Sequence, residues 1–433
     1  MKNRPDNTPT NKDPIGFERT VLPNGVRLHI NPSPKMKTVL VRADFGGNLD
    51  GDVTRRALIP MILRRGTRRF PDMKSMNRHL EGLYGASVVT DVTKIGEWHT
   101  LKFTLELVND VFIPGGKGVV RDGLEFLREL IWEPRATGDS FDPEYVTQEK
   151  TNLQRTIEGL VDDKGHYALE RCIREMCAGE EFRRFEIGDL ADLEGIDARA
   201  LHGTWRHLVD RAPLDVYISG DIDVSAARDL LREIFGHPRR GDLLLNPRPA
   251  EVAVGEPRSV QERMDVNQCR LVLGYRHGVT YFGGDLEGLV MMNGVLGSFS
   301  HSKLFQNVRE KASLAYDAHS ALEKTKGLLF VSCGIAAENH GKVLEIIAEQ
   351  IRALQEGDVS DVELTATRES FLNHLTMMED SPSEIMEVDR VWRLHGREFD
   401  LGRYREGLKD VGRDRIAACA SKLRLDTEFF LRS

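Results

Sequence analysis

The sequence predicts an α+β protein of two homologous halves, each a mainly antiparallel sheet with helices packed on one face. A chain of 433 residues is longer than one ordinary domain. The same order of elements, a strand, two helices and a strand hairpin, occurs twice along the chain, which indicates a gene duplication. A proline-rich stretch separates the two occurrences and is typical of a linker.

The elements of each occurrence are predicted from alternating strands, helical periodicity and turn residues. In the first, they are a strand at 39–45, helices at 54–64 and 73–83, and hairpin strands at 86–93 and 99–107. In the second, they are a strand at 269–275, a helix at 285–296, a helix ending near Lys311, and hairpin strands at 315–322 and 327–335. A long helix follows each hairpin, and its N-cap and first-turn proline are predicted at Asp142-Pro143 and at Ser381-Pro382.

The predicted division of the chain has four parts. They are a flexible leader at 1–16, the first half at 17–236, a linker at 237–258 and the second half at 259–433. Four prolines fall within the linker and leave little room for packed secondary structure. The leader is polar and not amphipathic, so it resembles neither a signal peptide nor a transit peptide, and the chain is expected to be cytoplasmic.

The composition argues against several classes of protein. Hydrophobic residues make up 40% of the chain and charged residues 30%, as in globular proteins. No apolar run approaches the roughly 20 residues that cross a bilayer, so no membrane partner is expected. The net charge of −8 argues against nucleic acid as a partner, because phosphates favour a basic face. The five cysteines include no Cys-x-x-Cys pair, which argues against a disulfide framework or a zinc ribbon.

Common catalytic signatures are missing from the sequence. There is no glycine-rich phosphate loop and no Gly-x-Ser-x-Gly nucleophile elbow. The 13 histidines include no pair four residues apart, the spacing that places two imidazoles on one helical face to hold zinc. An independent hydrolase with unrelated chemistry therefore has no motif in its favour.

Five short segments match the pattern of one peptidase family. They are Leu22–Arg27 (LPNGVR), Asp44–Gly47 (DFGG), Arg65–Thr67 (RGT), Gly297–Phe305 (GSFSHSKLF) and Val308–Tyr316 (VREKASLAY). With these segments, the chain from about residue 17 to 431 resembles one subunit of the insulinase/pitrilysin family, the inverted zinc peptidases. The resemblance implies that two such chains enclose a chamber in which an extended peptide joins an edge strand of a sheet.

The resemblance also implies a degenerate zinc site in the first half. The family's His-x-x-Glu-His, two zinc-binding imidazoles and a general base, falls on Ala57, Pro60 and Met61. The third ligand, a glutamate seven residues after another glutamate, falls on Thr156, and Glu149 matches the earlier one. Alanine and proline side chains offer no lone pair, and a neutral thioether is a poor zinc ligand. No cofactor is therefore expected in this chain.

Pro60 further predicts a break in its helix. Inside a helix, proline removes one backbone hydrogen bond and clashes with the preceding turn, at a cost of ~3 kcal/mol. The helix is therefore expected to kink near Ile59 or to restart at Pro60.

A second set of family residues is retained. In the family, an Arg and a Tyr of the last segment reach the substrate peptide, the Tyr as a donor to the oxyanion and the Arg as a donor to a neighbouring carbonyl. Arg309 and Tyr316 occupy these positions. The alternative interpretation is a solvated charge at Arg309 and a half-buried strand residue at Tyr316.

The resulting hypothesis is the non-metal subunit of a cytoplasmic peptidase heterodimer that binds small peptides and is inactive alone. The partner is expected to be a homologous subunit that bears His-x-x-Glu-His and holds the zinc. Trimming of ribosomally made precursor peptides is a use suggested by analogy alone. The alternative is a non-catalytic scaffold or assembly protein of the same fold, against which the retained Arg309 and Tyr316 and the missing targeting segment count.

Overall fold

The computed structural model describes residues 15–115, 118–246 and 252–433. The predicted leader lies outside the described residues except for its last two positions, and so do positions 247–251 of the predicted linker. In the described part of the chain, no helix combines the length and the apolar character that crossing a membrane requires.

The described residues contain two β-sheets. The strands are β1 (Glu18–Val21), β2 (Arg27–Pro32), β3 (Thr38–Asn48), β4 (Ser87–Ile95), β5 (Trp98–Val108), β6 (Leu214–Gly220), β7 (Arg258–Arg263), β8 (Cys269–Arg276), β9 (Ala315–Glu323), β10 (Leu328–Ile335) and β11 (Arg424–Arg432). Sheet 1 has the order β1-β2-β6-β3-β5-β4, and sheet 2 has the order β7-β11-β8-β10-β9. Neighbouring strands are antiparallel except for the pairs β2–β6 and β7–β11. The hairpin strands β4 and β9 therefore lie at corresponding edges of the two sheets.

Helices connect and cover these strands. They are α1 (Val53–Leu63), α2 (Met73–Gly82), α3 (Val119–Trp132), α4 (Pro143–Gly159), α5 (Lys164–Met176), α6 (Leu190–Leu193), α7 (Ala198–Arg211), α8 (Val224–Phe235), α9 (Leu286–Asn293), α10 (His340–Gln355), α11 (Asp361–Met378), α12 (Pro382–Leu394), α13 (Leu401–Lys409) and α14 (Arg413–Ala420). Two further segments, Gly294–Ser298 and Phe305–Lys311, are π-helical, and we refer to them as the first and second π-helical segments. The α+β prediction with two homologous halves is confirmed.

The predicted helix starts follow from local capping. The Asp142 side chain accepts a hydrogen bond from the amide of Glu144, 3.0 Å away, and Pro143 occupies the first turn of α4. The Ser381 hydroxyl accepts one from the amide of Glu384, 3.4 Å away, at the start of α12. Side chains of this kind satisfy amides that have no partner inside the helix, and so they fix where each helix begins.

Alternate residues of sheet 2 face two different apolar clusters. Leu271 and Leu273 of β8 pack into the core formed with the helices of the second half. Val272, between them, packs with α5 residues Cys172 and Met176. Because successive strand residues point to opposite faces, α5, from the first half, covers the second face of sheet 2.

The corresponding face of sheet 1 is covered by α12, from the second half. Tyr217 of β6 packs there with Met386 of α12, while Val216 and Ile218 face the core of the first half. Each half thus gives one helix to the sheet of the other. The predicted boundaries at 236 and 259 stay a prediction.

The contact of α12 with sheet 1 is largely ionic. Asp389 accepts hydrogen bonds from Arg19 at 2.7 Å and from the Tyr217 hydroxyl at 3.0 Å. Arg390 lies 3.1 Å from the buried carboxylate of Asp44. Buried charges of this kind need a specific partner, so they fix the position of α12 on the sheet.

A buried lysine joins the two halves at the hairpin turns. The Lys326 side chain is 1% exposed, and its Nζ lies 2.6 Å from Glu97 and 2.7 Å from Glu180. Arg276 also donates to Glu180, at 2.6 Å. Burial by itself lowers the pKa of a lysine, but the hydrogen bonds to Glu180 and Glu97 raise the pKa of Lys326 above its ordinary value. The lysine is therefore a cation held between two carboxylates.

Pro60 does not interrupt its helix, so the predicted restart is wrong, whereas the alternative, a kink near Ile59, stays a prediction. α1 runs continuously from Val53 to Leu63 with Pro60 inside it. Only three residues follow the proline, and the surrounding Leu58, Ile59 and Ile62 are buried in the core. The burial of this helix face offsets the single backbone hydrogen bond that the proline removes.

We expect Lys326→Met to destabilise the protein by about 3–5 kcal/mol, because it leaves the half-buried Glu97 without its ion-pair partner and the Glu180 carboxylate with Arg276 alone. Urea unfolding measures this. The matched control is Lys409→Met, which removes an exposed ion pair with Glu406 and should cost less than about 1 kcal/mol. Equal losses of unfolding free energy in the two variants would show that the ion pairs of Lys326 contribute no more than a surface pair.

Candidate functional site

The positions of the degenerate zinc site lie on two packed helices of the first half. Ala57 and Pro60 of α1 are buried, and Met61 is half-buried against the core. Thr156 lies on α4, which packs against α1. It is exposed, and its hydroxyl donates to the carbonyl of Asn152 in its own helix, at 3.0 Å. The two helices therefore pack together, and the assignment of these four positions to a former zinc site stays a prediction.

An ion pair that sequence reasoning missed lies beside these positions. Glu149 of α4 is buried and accepts a hydrogen bond from Arg65, just beyond the end of α1, and a second from Asn152 at 3.0 Å. The Arg65 guanidinium also lies over the ring of Tyr145, 5.4 Å from its centroid. The only feature of the sequence that pointed to this ion pair was the position of Arg65 directly before Gly66 and Thr67.

Gly66 explains why the chain turns sharply after this arginine. A side chain at this position would place its Cβ 2.7 Å from the carbonyl oxygen of Pro71, closer than real contacts allow. Thr67, the next residue, is buried and its hydroxyl donates to Glu129 at 2.7 Å. This Gly-Thr turn therefore has a packing role that does not depend on a metal.

The donor chemistry of these positions does not fit zinc. A zinc site needs three or four imidazole, thiolate or carboxylate ligands in close geometry. Ala57, Pro60, Met61 and Thr156 supply none of these, and the neighbouring Glu149 is held by Arg65. Within the described residues, no group of three or more His, Cys, Asp or Glu side chains could hold a metal ion.

The second set of predicted residues lies in the second half, at the second π-helical segment. Leu304 and Val308 anchor this segment in the core, and Arg309 follows with its side chain half-exposed. The Arg309 guanidinium lies over the ring of Phe305, 4.6 Å from its centroid, and 3.6 Å from Glu310. π-helical turns are rare and are frequent at functional sites.

A tight turn leads from Arg309 to Tyr316. Ser313 has a φ of 53°, in the left-handed region that favours glycine. Its amide donates to the carbonyl of Arg309 at 3.1 Å, and the amide of Leu314 donates to Val308 at 3.0 Å, which ends the helical segment. Tyr316 then follows as the second residue of the edge strand β9 and is 75% exposed. The half-buried alternative for Tyr316 is therefore excluded.

The first π-helical segment packs against β9. A Cβ on Gly297 would lie 2.5 Å from the Ser320 hydroxyl of β9. The same hydroxyl donates to Asn293 at 2.7 Å. This glycine is thus explained by the close approach of the segment to β9.

Arg309 and Tyr316 are not brought to the degenerate zinc site. Arg309 and Tyr316 lie at the edge of sheet 2. The positions Ala57, Pro60 and Met61 lie beside sheet 1. No hydrogen bond or ion pair among the described residues links the two sets.

Comparisons with known proteins identify relatives of this chain. Residues 196–371 match the family model described as the peptidase M16 inactive domain. The chain is 35% identical over 409 residues to the probable inactive metalloprotease YmfF of Bacillus subtilis (strain 168), covering 94% of this chain and 96% of that protein. It is 25% identical over 331 residues to the uncharacterized zinc protease ML0855 of Mycobacterium leprae (strain TN), covering 75% of this chain and 68% of that protein. A crystal structure of a conserved protein from Enterococcus faecalis V583 superposes with a TM-score of 0.88 at 27% identity, covering 96% of this chain and 98% of that one.

We expect that the protein purified alone holds no stoichiometric zinc, and that Ala57→His, Pro60→Glu and Met61→His together do not create a site. The third ligand is still missing, because Thr156 offers only a neutral hydroxyl bonded to its own helix. Elemental analysis after dialysis measures the zinc content. The comparison variant adds Thr156→Glu and should hold more zinc than the triple variant. One tightly bound zinc per chain in the wild-type protein would contradict this account.

Proposed function

We propose that this chain, an inactive member of the peptidase M16 family, is the non-metal subunit of a two-chain peptidase. The chain belongs to that family, which comprises the insulinase/pitrilysin-type proteins. Its partner is a homologous chain with an intact His-x-x-Glu-His, which holds the zinc. This chain binds the peptide and contributes Arg309 and Tyr316. Small precursor peptides are the proposed substrates, and the cytoplasm is the proposed compartment.

The exposure of Tyr316 is the observation that carries the proposal. A tyrosine usually buries its ring, because the ring supplies a large apolar area. Tyr316 is instead 75% exposed at the start of β9, with its chain direction set by the turn at Ser313. A phenol held outward in this way can donate a hydrogen bond to an oxyanion that forms in an active site facing it.

The edge position of β9 supports the binding of peptide. An edge strand has backbone amides and carbonyls without a partner in the sheet, and an extended peptide can pair with them. Arg309 precedes this strand, and its ion pair with Glu310, 3.6 Å long and exposed, holds it weakly. The guanidinium also lies over the Phe305 ring, and no buried carboxylate among the described residues holds it, so it can turn toward a peptide carbonyl. A scaffold without a part in catalysis remains the competing function, and the experiments below separate the two.

We expect this chain to form a one-to-one heterodimer with a zinc-bearing homologue when the two are co-expressed. Size-exclusion chromatography with light scattering measures the mass of the complex. The control is the chain alone, for which a monomer or a homodimer is expected. A mixture in which both chains elute separately at micromolar concentration would contradict the proposal.

Tyr316→Phe should lower the turnover of the reconstituted pair by about 10²–10³, because one oxyanion donor is lost with almost no change in volume. The matched control is Tyr84→Phe, which removes the hydroxyl of another exposed tyrosine and should leave turnover unchanged. Light scattering verifies that each variant still forms the complex. Full turnover of Tyr316→Phe within an intact heterodimer would leave the scaffold as the function.

Arg309→Ala should raise KM as well as lower kcat, because the guanidinium is proposed to hold the substrate in both the ground state and the transition state. Steady-state kinetics of the reconstituted pair measure both constants. Arg121→Ala is the control, since Arg121 is a similarly exposed arginine that forms surface ion pairs on α3. Equal changes of KM and kcat in the two variants would show that Arg309 does not contact the substrate.

A further inference from the structure

A cavity of about 270 Å³ lies among α9, α11, α12 and α13 of the second half. Its wall is mainly aromatic and aliphatic, with Tyr281, Phe371, Trp392, Phe399 and Tyr404 among the residues that line it. An apolar cavity of about 150 Å³ is large enough to hold benzene. This cavity therefore has room for a group as large as a phenylalanine side chain with part of its backbone.

Two tyrosines of the wall lack a hydrogen-bonding partner. Tyr281 is 7% exposed, and Tyr404 is half-buried. Neither hydroxyl hydrogen-bonds to another of the described residues. Burial raises the pKa of Tyr404 to about 12, so this hydroxyl stays protonated at neutral pH. Neither hydroxyl is fully enclosed without a partner, so each can bond to water or to a ligand in the cavity.

The cavity also has a cation without a carboxylate. Lys324, in the turn between β9 and β10, lines the cavity with its Nζ 5.4 Å from the centroid of the Tyr281 ring. It forms no ion pair within the described residues. The ammonium is therefore oriented by an aromatic ring, and an incoming anion would not have to displace a protein carboxylate.

The one acidic residue of the wall is already neutralised. Glu387 lies 2.8 Å from Lys102 and 3.1 Å from Arg42, both of sheet 1. Burial by itself raises the pKa of a glutamate, but Arg42 and Lys102 lower the pKa of Glu387, so it is an ion with two cationic partners. The net charge available to a ligand in the cavity is that of Lys324.

We propose that this cavity binds a small carboxylate with one bulky apolar group, such as an aromatic amino acid acylated at its nitrogen. The apolar group lies among the aromatic rings, the carboxylate pairs with Lys324, and the tyrosine hydroxyls donate to the polar atoms of the ligand. The chemistry is that of the C-terminal residue of a peptide. The proposal stands apart from Arg309 and Tyr316 and does not depend on a zinc-bearing partner.

Three probes separate the parts of this recognition in calorimetric titrations of the full chain. N-acetyl-phenylalanine carries both the carboxylate and the ring, and we expect a Kd on the order of 0.5 mM from the efficiency of ligands with about fifteen non-hydrogen atoms. Its neutral amide should bind about tenfold more weakly, because the charge-assisted contact with Lys324 is lost. Acetate, which lacks the ring, should not bind measurably.

Three variants test whether binding occurs in this cavity. Lys324→Met should weaken the acid about tenfold and leave the amide unchanged, whereas Lys409→Met, an exposed lysine of α13, should change neither. Tyr404→Phe should weaken both probes about fivefold without altering the fold. Val388→Phe narrows the cavity and should abolish binding of both. Equal affinity for acid and amide, unchanged binding in Lys324→Met, or no binding of the acid at 10 mM or above, roughly twenty times the expected Kd, would overturn the proposal.

Discussion

Each sheet of this protein is covered on both faces, and helices of its own half cover only one of them. Strand β6 is buried along its whole length and β8 at every residue but Arg270, so both faces of these strands are covered. The exchange of α5 and α12 between the halves provides the second layer. The relative position of the two sheets depends on this exchange, because separating the halves would expose the second face of both sheets. The two edge strands β4 and β9 are therefore held in fixed positions on one body.

The two exchanged helices perform the same task with different chemistry. α5 covers sheet 2 with apolar side chains such as Cys172 and Met176. α12 covers sheet 1 through Asp389 and Arg390, which pair with buried groups of the strands. Replacing a buried ion pair with apolar residues is often neutral or stabilising, so ion pairs are a weak source of stability. We infer that on α12 they select one position of the helix, which in turn shapes the cavity that the same helix lines.

The helix that carries three of the predicted zinc-site positions, α1, does not need metal ligands for its packing. The packing of α1 against the core depends on Leu58, Ile59 and Ile62, none of which would touch a metal. Losing the ligands therefore costs the fold little, and an ion pair between Arg65 and Glu149 holds the neighbourhood together. In the second half, by contrast, rare π-helical turns and the left-handed Ser313 lie beside an exposed tyrosine. A strained backbone conformation of this kind costs free energy, and such conformations are frequent at functional sites.

The elements, the duplication, the family resemblance and the lack of zinc-binding side chains at Ala57, Pro60, Met61 and Thr156 could all be predicted from the sequence. These depend on local periodicity, capping residues and short motifs, which neighbouring residues encode. The exchange of α5 and α12, the burial of Lys326 between two carboxylates and the cavity around Tyr281 could not be predicted from the sequence. The same holds for the continuity of α1 through Pro60, where a restart was predicted. The reason is that these features join residues far apart in the chain, and their energies come from burial and charge pairing that no local pattern contains.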